Sequence, residues 1–103
     1  MPPEGVARCR AAWARLIGRQ TCVVHGNPNN PDNVRMTTNR VALIDWDESH
    51  VDVPDLDLVL PHNAAGLDDD AHDIAAQAWS AWAAAVCWND EYSVERLAEV
   101  RAV

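Results

Sequence analysis

The 103-residue chain has no lysine and no phenylalanine, and only one tyrosine and four glycines. Without an ammonium side chain it cannot supply the phosphate grip of a P-loop, a Schiff base or a lysine nucleophile. Positive charge of any kind is scarce. Eight arginines face 16 acids for a net charge of −8, which argues against a nucleic-acid partner, because phosphate contacts need a clustered basic surface. No apolar run approaches the ~20 residues that span a bilayer, so no membrane partner is expected. The opening Met1-Pro2-Pro3-Glu4 lacks the apolar stretch of a signal peptide, and cytoplasm is the expected compartment. The cysteines, Cys9, Cys22 and Cys87, are three in number and never in a C-x-x-C pair. That pattern disfavours a disulfide framework and a structural zinc site, and leaves them as buried or half-buried small hydrophobes. With 49% hydrophobic and 23% charged residues, the composition is that of a globular chain, and its length suits one domain.

Charge divides the chain unequally. Residues 1–40 carry six arginines against Glu4 and Asp32, for +4, whereas residues 41–103 carry two arginines against 14 acids, for −12. The apolar spacing of Val6, Cys9, Trp13, Leu16 and Ile17 predicts an amphipathic helix over residues 5–19. Thr21-Cys22-Val23-Val24 reads as a short strand stopped by His25-Gly26. Four asparagines, two prolines and Asp32 crowd residues 27–33, a composition that must be loop. Val34-Arg35-Met36-Thr37 and Arg40-Val41-Ala42-Leu43-Ile44 then form a hairpin turned by Thr38-Asn39. Residues 52–60 read as a turn leading into a short helix. Asp68-Asp69-Asp70 start an alanine-rich helix, and a last helix runs from about Ser93 to Arg101. Trp13, Trp79, Trp82 and Trp88 fall in these helical stretches, where packing is their ordinary role; Trp46 is read as packing too. His50, His62 and His72 have no ligand spacing and are read as surface residues.

Chemistry concentrates at strand ends and in one loop: His25, Asn27, Asn33, Asp45 and Asp47. Carboxylate and amide oxygens converging there suit a hard cation such as Mg²⁺, which needs only one or two carboxylates plus substrate phosphates. An Asx-rich turn followed by solvated strand ends fits the same residues. Both readings stand at this level.

The order and spacing of these segments carry a resemblance. Val23-Val24-His25-Gly26-Asn27, then Asn33-Val34-Arg35-Met36, then Val41-Ala42-Leu43-Ile44-Asp45-Trp46 resembles the catalytic core of the aminoglycoside phosphotransferase and choline kinase family, a branch of the protein-kinase-like fold. Pro54 lies nine residues after Asp45 and Asp57-Leu58 begins twelve after it, as in the family. The similarity covers about residues 6–60. It implies an α+β, mainly helical, protein-kinase-like C-lobe with a short catalytic-loop hairpin, acting with ATP and Mg²⁺ on a small hydroxylated, cationic substrate. By position, Asp45 and Asn33 resemble the metal ligands, His25 the histidine that braces the catalytic loop, and Asp57 a buried aspartate that hydrogen-bonds the loop backbone. Asp47 falls on the substrate side.

Two departures from the family pattern follow. Asn27 stands at the catalytic-base position, where an amide cannot accept the proton of a substrate hydroxyl, and the loop to Asn33 is one residue longer than usual. Asp32 is the neighbouring acid that could substitute. Only 24 residues precede His25, so residues 1–103 are expected to correspond to a C-lobe whose N-terminal nucleotide-binding lobe, with its lysine, is absent. A fragment or half of a split protein would have this form, inactive or weak alone, and would meet a separate N-lobe or self-associate through uncovered surface. A noncatalytic, pseudokinase-like partner-binding module is the alternative.

Overall fold

Pro3 at the first helical position, with Glu4 in the first turn, starts helix α1 (Pro3–Ala14); the fixed φ of proline and an acid near the N-terminal dipole both favour a helix start. The computed structural model describes residues 1–28, 30–59 and 65–103. Among them the chain is a small α+β domain of three α-helices and two two-stranded antiparallel sheets.

Helix α1 is shorter than its apolar stripe. Beyond Ala14 the chain tightens into three-residue turns, with Ile17 N–H donating to Ala14 O and Arg19 N–H to Leu16 O, and Gly18 takes a left-handed φ of 85°. Ile17 is thereby carried off the stripe and stands 82% exposed. Strand β1 (Cys22–Val24) follows, and pairs with β4 (His50–Asp52), a strand that the turn reading of residues 52–60 does not contain. The hairpin forms as its alternation predicts: β2 (Val34–Met36) against β3 (Val41–Leu43), with Val34 opposite Leu43 and Met36 opposite Val41. The short helix falls earlier than expected, as a 3-10 turn over Pro54–Asp57. Leu60 and His62 lie outside the described residues.

Asp68 caps helix α2 (Asp69–Val86) by accepting the Ala71 N–H at 2.8 Å, with Asp69 and Asp70 in the first turn; a side-chain acceptor there satisfies an otherwise unpaired donor. Helix α3 (Glu91–Glu99), capped the same way by Asp90, starts two residues before the expected Ser93. Trp88 lies in the turn between them. The main core joins the helices through small residues: Cys9 and Ala12 of α1, Ala81 and Ala84 of α2, with Leu97 and Val100. Such side chains allow close helix approach. At Gly5 a Cβ would come within 2.9 Å of Met1 Cγ and 3.0 Å of Leu97 Cδ2. The guanidinium of Arg8 donates to the carbonyls of Leu97 (2.9 Å) and Val100 (2.9 Å), closing α1 onto the C-terminal end of α3. Cys9 is buried, Cys87 half-buried and Cys22 exposed, so the last departs from the expected burial. Among the described residues, no helix is long and apolar enough to cross a membrane.

Candidate functional site

The site is built where β1 runs out. Val24 and His25 are almost fully buried, at 2% and 1% exposure, and the chain then turns sharply at Gly26, whose φ is 94°. A side chain at Gly26 would place Cβ 2.5 Å from the Glu48 carbonyl oxygen. Only glycine meets both the left-handed backbone and the close approach.

The carboxylate of Asp57 holds this turn from the opposite side. Its two oxygens accept the N–H groups of His25 at 2.7 Å and Gly26 at 3.1 Å, charge-assisted bonds that fix the loop backbone. The His25 ring completes the frame. Its Nδ1 accepts the Asn27 N–H at 3.1 Å, so the ring proton sits on Nε2, 2.8 Å from Ile44 O. The edge of the ring meets Trp46, with centroids 4.7 Å apart at 63°, and Trp46 Nε1 donates to Leu43 O. His25 thus ties the loop to the end of β3.

Asn33 makes a second tie. It closes a 3-10 turn over Pro31–Asn33 and is 5% exposed. Its backbone oxygen accepts the Ile44 N–H at 2.8 Å, and its Nδ2 donates to Asn27 O at 3.0 Å. The backbone of Asn27 is therefore held at both ends, by His25 and by Asn33. With Nδ2 engaged, Oδ1 is the atom Asn33 can offer a ligand.

Asp45 follows Ile44 with a left-handed φ of 59°, uncommon for a residue with a side chain and a mark of a position set by its surroundings. Asn27, Asn33, Asp45, Asp47 and Glu48 line one hollow of about 120 Å³. Four of these five were singled out from the sequence. Glu48 was not, although the acid run Asp45-Trp46-Asp47-Glu48 contained the signal. His25 and Asp57 lie behind the hollow as its frame. Asp32 is not in its lining; its N–H bonds Asn30 Oδ1. No group of three or more His, Cys, Asp and Glu side chains converges as a metal cage among the described residues. The hollow instead offers carboxylate and amide oxygens, a set that suits a hard cation completing its shell with outside oxygens.

No protein-family model, curated protein or solved structure matches the chain. His50, read as a surface residue, bonds Asp52 Oδ2 through Nε2 at 3.0 Å and stacks over Trp82, with ring centroids 6.4 Å apart at 14°. His72 Nε2 lies 3.4 Å from Val59 O.

Proposed function

We propose that this chain is the acidic, metal-holding half of a small-molecule phosphotransferase site, on a protein-kinase-like C-lobe, working in the cytoplasm. One observation carries the reading: the backbone of His25-Gly26-Asn27 is fastened by Asp57, the His25 ring and Asn33, while Asp45 and Asn33 face the same hollow. Phosphoryl transfer is catalysed mainly by positioning and electrostatics, and a rigid loop beside oxygen donors supplies both.

In this reading Asp45 and the Oδ1 of Asn33 hold Mg²⁺. Bound there, Mg²⁺ supplies charge neutralisation for the phosphates of ATP. Asn27 occupies the place beside the acceptor hydroxyl, where its amide orients but cannot take a proton. Asp47 offers a carboxylate to a cationic substrate. Residues 1–103 contain no lysine, so the nucleotide's lysine contact comes from outside them. Activity of this chain alone is weak or nil, since general base catalysis is typically worth ~10²–10⁴-fold. Asn27 and the lack of lysine favour a second reading, a noncatalytic partner-binding module built on the same frame.

Calorimetry with Mg²⁺-ATP tests the first reading. Saturable binding that needs Mg²⁺ and is abolished in Asp45→Asn is the expected result, and Asn27→Asp is expected to raise transfer to an aminoglycoside or amino-alcohol panel. Absence of Mg²⁺-dependent nucleotide binding in both the natural chain and Asn27→Asp would leave the partner-binding module.

A further inference from the structure

We infer that a chamber bounded by α1, α2 and the β1–β4 ribbon is a binding site for an uncharged single-ring molecule, and that a ring seated there stiffens the loop at His25 and Gly26. The chamber measures about 140 Å³ and is walled by Trp13, Trp79 and Trp82 together with Leu16, Leu56 and Ala78. Two of the indoles are held in place: Trp13 Nε1 donates to Ala78 O at 3.2 Å, and Trp82 is stacked by His50. The chamber opens to solvent beside Trp13, which is 36% exposed. A cavity of roughly 150 Å³ accommodates a single benzene ring, and aromatic walls pair well with a ring through offset or edge contacts.

Charge decides the class of ligand. The ionisable side chains in the wall are His50, Asp52 and Asp57, with no arginine among them, so an anion is repelled. Both carboxylates are already engaged. Asp57 accepts the His25 and Gly26 N–H groups, while Asp52 accepts the Val53 N–H at 2.8 Å and faces His50 Nε2 at 3.0 Å. A cation entering the apolar chamber gives up its hydration, which carboxylates already shared with N–H donors and His50 repay only in part. A neutral ring carries no such cost.

Gly26 and Asp57 belong both to the chamber wall and to the loop frame. Filling the chamber therefore backs the carboxylate that fastens the loop. The site stands whether or not the chain transfers phosphate.

Benzyl alcohol, benzylammonium and benzoate, which share one ring, provide the test on the full chain. Benzyl alcohol is expected to shift the Trp79 and Trp82 indole N–H resonances saturably and to slow hydrogen exchange at the His25 and Gly26 amides. Benzylammonium is expected to bind no more tightly and benzoate more weakly. Ala78→Leu, which fills the chamber, should weaken benzyl alcohol by about tenfold or more; Leu16→Trp provides a second filled variant if the first does not fold. No saturable shift, equal binding to a folded filled variant, or benzylammonium binding tenfold tighter would each overturn the assignment. Ring binding without slowed exchange at His25 and Gly26 would overturn the coupling to the loop.

Discussion

Gly26 carries the tightest constraint of any single residue in the site. A methyl group there would force an L side chain into φ 94° and bring Cβ 2.5 Å from the Glu48 carbonyl oxygen. Gly26→Ala is expected to lower unfolding free energy by about 2 kcal/mol or more, from the left-handed backbone and the clash together. Urea denaturation checks it; an unchanged midpoint would mean that the turn is not held as described. A second residue reports on acid stability. Asp73 has its carboxyl held down to about 2, first by the Arg101 hydrogen bond and then, against the opposing effect of burial, by Arg15. A carboxylate whose folded value lies below its unfolded one adds stability that is fully present above the unfolded value near 3.8 and is lost as pH falls toward 2. Asp73→Asn should therefore lose less stability than the natural chain between pH 5 and pH 2, read from denaturant midpoints. At this scale His25, Asn27, Asn33, Asp45 and Asp47 were legible because polar residues at strand ends stand out from their apolar neighbours. Their hydrogen-bond partners were not. Ile44 O and Asn27 O are backbone groups, and every residue has one.

Elements read well where caps and periodicity agree. Asp68 before the alanine-rich run marks α2 in the sequence and caps it in the structure, and Thr38-Asn39 between two alternating runs marks the hairpin. The failures share a cause. Helix α1 keeps apolar spacing past its end, because Leu16 and Ile17 continue the stripe while the backbone has already tightened. Strand β4 is three residues long and itself ends in Asp52; its pairing with β1, from Val24 to His50, is a contact between segments that share no local pattern. Arg8 joins elements that sequence reading treats separately. It is only 16% exposed in its side chain and donates to carbonyls at the C-terminal end of α3, where Leu97 O otherwise takes only the Val100 N–H. Arg8→Met, which keeps the apolar stem, is expected to cost about 2–3 kcal/mol through loss of charge-assisted bonds. Thermal unfolding that is insensitive to this change would assign α3 its stability from packing alone.

The whole molecule is extended, 48 × 30 × 23 Å, with a radius of gyration of 14.2 Å, above the ~13 Å usual for a chain of about this size. Its main core is made largely of alanine, and apolar side chains remain outside it. Met36 and Val41, directly opposite each other on the hairpin, are 73% and 67% exposed. Their cross-strand pairing makes one contiguous apolar spot, next to Arg35 and Arg40 on a chain whose remaining charge is strongly negative. Sedimentation at rising concentration is expected to show reversible association that Met36→Thr with Val41→Thr diminishes and salt weakens; a single monomeric boundary throughout would sink that expectation. Charge asymmetry was visible in the composition, whereas the extended shape was not, since it follows from how few large side chains the helices share. The Arg8 clasp has a further consequence during synthesis. Its acceptors lie 89 and 92 residues downstream, so on the ribosome α1 emerges long before the carbonyls it must hold. Contacts this distant along the chain form late and slowly, and the nascent helix waits with Cys9 and Ala12 uncovered until α3 has left the exit tunnel. Emergence of α3, and not the appearance of the loop, sets the moment at which this domain closes.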